Sequence, residues 1–213
     1  ARRIKDVTKI KVFYLVVLTF FWAAPATAQL EDFGLSPAQV ERAAKGELVV
    51  MKFPPPNDAG ISFQAVQRMS VDPEKLRPVL RDCQHFSKFM PHTLKSQMRN
   101  QVVQTAVCDV IVDMPFPFDD LWSIVNSKWG ELKPGVWQRS WVLVEGSFNR
   151  NVGSWTIVES GQPNVVYAIY KASVDPKIAV PDFILRRAQV SSIPNLMQAV
   201  LKRAQSMTPA VAP

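Results

Sequence analysis

The 213-residue chain has only two histidines, His85 and His92, and both lie in one short stretch. No cluster of cysteine or carboxylate residues supplies metal-ligand spacing near them, so we expect surface or helix-cap histidines and no metal site. The sequence also lacks the G-x-S-x-G nucleophile turn and a glycine-rich phosphate loop. Adjacent carboxylates such as Asp119 and Asp120 do not face one another as a catalytic pair does. We therefore assign no catalytic residue and no cofactor.

Cysteine is equally scarce, because Cys83 and Cys108 are the only two in the chain. One falls on a predicted helix and the other on a predicted strand. In an oxidising compartment the two could form a disulfide. The sequence does not give the distance between their Cα atoms, so two buried free thiols remain an open alternative.

Positive charge is less abundant in the folded part than the total suggests. The formal net charge is +7, from 25 Lys and Arg residues against 18 Asp and Glu residues. Residues 1–28 hold five of the basic residues and one acidic residue, so the remainder has 20 basic and 17 acidic residues, a net charge of +3. No run of basic residues is interleaved with aromatics, and we expect no nucleic-acid partner.

The first 28 residues have the pattern of a secretory signal peptide. A basic stretch precedes the apolar run from Val12 to Ala24, which is shorter than the roughly 20 residues of a comfortable transmembrane span. Ala26-Thr27-Ala28 then fits a cleavage site, with Gln29 as the first mature residue. We expect export to the periplasm or the exterior, the alternative being an uncleaved N-terminal anchor. No cysteine comes just after the apolar run, which argues against a lipoprotein.

The order of predicted elements indicates the α+β class. Residues 29–60 read as an extension with a helix after Ser36-Pro37, a short strand and the Pro-rich linker of residues 54–60. Residues 61–207 read as a strand, a helical stretch beginning at Asp72-Pro73, about six consecutive strands and a long helix, followed by a tail at 208–213. Consecutive strands without intervening helices predict an antiparallel sheet. Pro78 is expected to bend or split the first helical stretch.

The stretch from residue 181 to residue 207 is predicted to be a long amphipathic helix. Ile193, Met197, Val200 and Ala204 recur at steps of four, three and four, which places them on one face. That face must be buried against the sheet. Pro194 either kinks this helix or marks the start of a second one capped near Ser191 or Ser192.

Several motifs occur in an order that resembles a known family. A strand is followed by VDPEKLRPVLRDCQHFSKFMP from Val71 to Pro91, which ends in F-x-P. Later motifs are Pro115-Phe116-Pro117, Gly153-Ser154-Trp155 before a strand with Tyr167 and Tyr170, Asp175-Pro176, Val180 to Phe183, and Pro194 within the last helix. Over residues 61–206 this sequence resembles the START-like, or SRPBCC, superfamily. Where many of its members have Asp-Arg after the second motif, this chain has Asp119-Asp120, so no role of that Arg is transferred.

The resemblance implies a helix-grip fold, in which a curved antiparallel sheet wraps around a long C-terminal helix and leaves a cavity between them. Such cavities commonly hold lipids, sterols, polyketides or quinones. Our leading interpretation is therefore an exported monomer that binds a lipid or another hydrophobic small molecule and makes transient membrane contact. The alternatives are an enzyme of the polyketide cyclase or aromatase kind and an interaction module whose cavity is closed.

The predicted ligand-binding residues lie on three strands and the last helix. On one strand Trp137, Arg139 and Trp141 share a face, because side chains alternate with period two. An arginine between two tryptophans could anchor an acidic head group, but we prefer the interpretation that Arg139 lies on the outer face. The remaining predicted lining residues are Trp155, Tyr170, Phe183, Ile193, Met197 and Val200.

Overall fold

The computed structural model describes residues 30–178 and 192–207. The predicted signal peptide, the tail from residue 208 and Phe183 lie outside the described residues. Among the described residues, none of the helices has the length and hydrophobicity needed to cross a membrane.

Eight antiparallel strands form one curved sheet in the order β1-β2-β8-β7-β6-β5-β4-β3. This sheet and the C-terminal helix confirm the predicted α+β helix-grip class. The strands are β1 (Val49–Phe53), β2 (Ile61–Ser70), β3 (Thr93–Val102), β4 (Thr105–Val112), β5 (Leu121–Lys133), β6 (Val136–Gly146), β7 (Phe148–Glu159) and β8 (Val165–Pro176).

Each described helix begins near a residue with a start signal. Helix α1 covers Pro37–Ala44, α2 covers Pro73–Arg81 and α3 covers Ile193–Gln205, and two 3-10 helices cover Pro56–Asp58 and Cys83–Lys88. The side chain of Ser36, the residue before α1, accepts a hydrogen bond from the backbone N–H of Gln39. The side chain of Asp72, the residue before α2, accepts one from the backbone N–H of Glu74. These caps satisfy backbone N–H groups that would otherwise lack a partner in the first turn.

Two elements end beside residues with unusual backbone angles. Helix α2 continues through Pro78 to Arg81 and is followed by Asp82, which has φ −83° and ψ 70°, so the predicted split at Pro78 is wrong. Strand β6 ends at Gly146, where φ is +151°. A Cβ atom at Gly146 would lie 2.4 Å from the carbonyl oxygen of Trp122, so only glycine fits this corner.

The sheet separates two hydrophobic clusters. On its outer face, Leu30, Leu35 and Val40 from the N-terminal extension pack on β1, β2, β6, β7 and β8. Strand β1 also pairs with β2, so the extension adds an edge strand to the same sheet. The inner face packs against α2, the second 3-10 helix and α3.

Helix α3 buries the face that its sequence spacing predicts. Ile193, Met197, Val200 and Ala204 are all buried in the inner cluster. Pro194 lies in the first turn of the described helix, where its missing N–H group costs little. The predicted helical residues before Ser192 lie largely outside the described residues.

Candidate functional site

Arg139 lies at the centre of the inner face and is surrounded by tryptophans. In the sheet register it stands opposite Trp129 on β5 and Trp155 on β7. Trp137 and Trp141 are its same-face neighbours along β6. Only 4% of Arg139 is exposed, so the interpretation that placed it on the outer face is wrong. Alternation along β6 does not show which face is covered. The packing of α2, the second 3-10 helix and α3 on the side of Arg139 decides it.

The Arg139 guanidinium has one hydrogen bond and no counter-charge among the described residues. Its Nη2 donates to the hydroxyl of Ser127 over 2.7 Å, while its buried Nε has no partner. None of the ion pairs found in residues 30–178 and 192–207 includes it. The guanidinium carbon lies 5.3 Å from the ring centroid of Phe86 and 5.6 Å from that of Trp141. Aromatic faces stabilise a cation only partly, so the described residues leave the positive charge of Arg139 uncompensated.

The surrounding apolar groups change the ionisation of two side chains at the site. Burial lowers the pKa of Arg139 to about 10, and the proximity of Tyr170 acts in the opposite direction. Burial also raises the pKa of Tyr170 to about 12, while Arg139 acts to lower it. At neutral pH Arg139 is therefore charged and the Tyr170 hydroxyl is protonated.

An aromatic cluster continues from Arg139 across β7 and β8. The ring centroid of Tyr170 lies 4.6 Å from that of Trp155, 5.9 Å from that of Trp141 and 5.6 Å from that of Phe63. Gly153 makes room for this arrangement, because a Cβ atom there would lie 2.4 Å from the Trp141 ring. Trp141 and Tyr170 are only partly buried, so part of each residue remains accessible.

A short polar network lies beside Trp141. The indole Nε1 of Trp141 donates to the side-chain oxygen of Asn151 over 3.0 Å, and Asn151 donates to the hydroxyl of Ser123 over 3.3 Å. Ser123, Ser127, Trp129 and Asn151 are not among the site residues predicted from the sequence. Period-two alternation along β5 groups Ser123, Ser127 and Trp129, but only cross-strand register brings Ser127 and Trp129 beside Arg139.

The structure places the described members of the predicted ligand-binding set on the inner side. Trp137, Trp155, Ile193, Met197 and Val200 are buried, and Trp141 and Tyr170 are partly buried. Phe183 lies outside the described residues. Contact of this set with a ligand remains a prediction.

The second 3-10 helix covers Arg139 and is held by a disulfide. Cys83 in this helix is bonded to Cys108 on β4, and both residues are fully buried. Phe86, one turn after Cys83, supplies the ring above Arg139. The same helix carries His85, whose ring nitrogen Nδ1 lies 2.6 Å from an Asp82 carboxylate oxygen. Both side chains of that pair are more than a third exposed.

A cleft of about 430 Å³ lies over β3–β6. Its lining includes Val107, Asn126, Lys128 and Val142. These residues alternate with buried inner-face residues, so their side chains point to the outer face. The lining also includes Ser127 and Trp141, which both contact Arg139, so the cleft reaches the Arg139 site.

Comparison with known proteins gives one family match. The family model described as "Polyketide cyclase / dehydrase and lipid transport" matches residues 69–201. This span covers more than half of the chain and includes all of α2 and β3–β8. No curated protein matches the sequence.

Solved structures with the same fold are distant in sequence. A STAR-related lipid transfer protein from Xanthomonas axonopodis (fragment 25–204) aligns with a TM-score of 0.65 at 15% identity, covering 76% of this chain and 99% of that one. Human StAR-related lipid transfer protein 5 aligns with a TM-score of 0.65 at 8% identity, covering 84% and 93%. The Zhui aromatase/cyclase from Streptomyces sp. R1128 aligns with a TM-score of 0.54 at 13% identity, covering 74% and 94%. At these identities the similarity shows the fold alone.

Proposed function

The chain belongs to the polyketide cyclase, dehydrase and lipid transport family of START-like proteins, and on this basis we propose that it binds a lipid without chemical conversion. The ligand lies between the inner face of the sheet and α3. The observation that carries this proposal is the partial exposure of Trp141 and Tyr170 within an otherwise buried aromatic face. Ligand sites of this kind are mostly apolar, with a few polar groups that fix orientation.

The direct test is recovery of a bound lipid. Delipidated protein is mixed with a membrane lipid extract, repurified and examined by native mass spectrometry. We expect a mass increase that corresponds to one lipid and disappears on denaturation. Protein that carries no co-purified or exchangeable lipid would contradict the proposal.

Enlarging the buried face of α3 is expected to block binding. Met197 is buried in the inner cluster, and Met197→Trp places a larger side chain in the same space. We expect at least about a tenfold loss of lipid affinity, or roughly 1.4 kcal/mol, and an overpacking cost of about 1–3 kcal/mol. The matched control is Gln198→Trp, because Gln198 is the exposed next residue of the helix. Equal loss of affinity in both variants would mean that the space beneath α3 is not the binding site.

The described polar groups give weaker support to the cyclase or aromatase alternative. Acid–base catalysis is most efficient when the catalytic pKa lies near the working pH. Around Arg139 the available hydroxyls are those of Ser127 and Tyr170, and the pKa of Tyr170 is raised to about 12. The neighbours of Arg139 in the sheet register are tryptophans and not carboxylates or histidines.

Export forms part of the proposal. The buried bond between Cys83 and Cys108 supports an oxidising compartment, in which disulfides persist. The signal-like pattern of residues 1–28 supports the same conclusion. N-terminal sequencing of protein recovered outside the cytoplasm is expected to begin at Gln29, and a start within the first 28 residues would indicate an uncleaved anchor.

A protruding loop between β4 and β5 is the proposed point of membrane contact. Phe116 is 97% exposed at its tip. The loop lies at the same end of the sheet as the last residues of β8. An exposed aromatic ring gains free energy when it enters a lipid interface.

Removing this ring is expected to weaken vesicle binding. Phe116→Ser removes the free-energy gain of burying a Phe side chain, roughly 1.5–3 kcal/mol, so we expect about a tenfold or greater loss of vesicle association in co-sedimentation. Val103→Ser is the matched control, because Val103 is 85% exposed in the turn at the opposite end of β4. Both variants should bind lipid in solution as the wild type does. Similar vesicle association for Phe116→Ser and wild type would exclude the loop as the contact point.

A further inference from the structure

We propose that Arg139 recognises the anionic end of an amphipathic ligand, a carboxylate or phosphate group attached to an apolar chain. This inference rests on the proposed lipid-binding function and specifies the chemical class of its ligand. The geometry that carries it is a buried guanidinium, inside a ring of aromatic side chains, with unused hydrogen-bond donors and no counter-charge among the described residues.

The donors of Arg139 are only partly used. A guanidinium has five N–H groups in a planar fork. One Nη2 bond goes to Ser127, and the buried Nε has no partner. Buried polar groups in folded proteins almost always have a partner, so an unpaired Nε is an observation that requires an explanation. A carboxylate or phosphate can accept two parallel bonds from the fork, which a hydroxyl or ester oxygen cannot do.

The charge balance of the site favours an anion over a neutral head group. Trp129, Trp137, Trp141 and Trp155 occupy the same-face positions around Arg139. Their rings exclude water and supply no formal negative charge. A neutral ligand would displace the remaining water and leave a desolvated cation, whereas an anionic ligand would neutralise it.

The surroundings of Arg139 indicate that the anion is part of a larger apolar molecule. Trp141 and Tyr170 lie beside the guanidinium and border accessible space, and their stacked rings offer an apolar surface. Met197 and Val200 of α3 belong to the same inner cluster. A chain extending from Arg139 along these rings would bury its apolar surface while its charged end remains paired. A free inorganic anion would pair with the guanidinium but would leave the apolar surface of the rings unused.

The test compares ligands that differ only at the charged end. Affinities of the delipidated wild type are measured for hexadecanoate, hexadecyl phosphate and hexadecan-1-ol below their aggregation concentrations. We expect at least one of the two anions to bind about tenfold or more tightly than the alcohol. Acetate and inorganic phosphate at millimolar concentration are not expected to displace the bound chain. Displacement by these small ions would instead identify a free-anion site and overturn the amphipathic assignment.

Variants of the arginine localise the effect. Arg139→Met should bring the affinities for anion and alcohol to within about twofold of each other, because the charge is lost while an apolar side chain fills the space. Arg139→Lys should show an intermediate preference, because it keeps the charge without the fork. The matched control is Arg203→Met, since Arg203 also lies over a ring, 5.9 Å from the centroid of Phe89, but outside the group of tryptophans. This control should keep the wild-type preference.

The outcomes separate this inference from the proposed function. Equal binding of the alcohol and both anions by the wild type would overturn the role of Arg139 and leave lipid binding intact. If the protein binds none of the three ligands and no lipid from a membrane extract, the proposed function itself is contradicted. Retention of the preference in a folded Arg139→Met variant would place the anion elsewhere. If Arg139→Met fails to fold, the wild-type comparison and Arg139→Lys still decide the question.

Discussion

Replacing Trp155 with alanine is expected to lower the free energy of unfolding by about 3–5 kcal/mol. Trp155 is 2% exposed, pairs across the strands with Arg139 and Tyr170, and contacts the Tyr170 ring. The substitution removes a large buried surface and leaves a cavity beside a desolvated cation. Denaturant unfolding followed by tryptophan fluorescence and circular dichroism measures this change.

The same substitution on the opposite face of the sheet provides the control. Trp122 on β5 is 41% exposed, so Trp122→Ala should cost less than about 1 kcal/mol. A similar cost for the two variants would mean that the inner face contributes no more to stability than the outer face. Lipid affinity should also fall in Trp155→Ala and remain unchanged in Trp122→Ala, because Trp155 borders Arg139 and Trp122 does not.

Removing the disulfide is expected to produce the second largest loss of stability. Cys83 and Cys108 are 25 residues apart, and a closed loop of this length restricts the unfolded chain by about 3 kcal/mol. The double variant Cys83→Ala/Cys108→Ala should therefore lose about 3 kcal/mol of unfolding free energy. For a chain of this size this corresponds to a fall in Tm of roughly 6–12 °C.

Reduction of the wild type gives an independent measurement of the same bond. Incubation with a strong thiol reductant under mildly denaturing conditions should shift the wild type towards the Tm of the double variant and leave the double variant unchanged. Because Phe86 lies one turn after Cys83, we also expect weaker ligand binding in the reduced protein. A double variant within about 1 kcal/mol of the wild type would show that the cross-link contributes little.

The secondary-structure elements and one important face can be predicted from the sequence alone. The four-three-four spacing of apolar residues in α3, the caps at Ser36 and Asp72, and the alternation along the strands depend on local periods of 3.6 and 2, which a single sequence displays. Consecutive strands without helices between them led to an antiparallel sheet, and the ordered motifs led to the helix-grip class. The same alternation placed Trp137, Arg139 and Trp141 on one face of β6.

The contacts of that face depend on the tertiary structure. Alternation does not distinguish the inner side of a sheet from the outer side, so the sequence alone favours the wrong face for Arg139. Cross-strand register, set by pairing along the full length of β5, β6 and β7, brings Trp129 and Trp155 beside it. Likewise, the pairing of Cys83 with Cys108 depends on how the 3-10 helix packs on β4. These are contacts between residues far apart in the chain, and no local pattern encodes them.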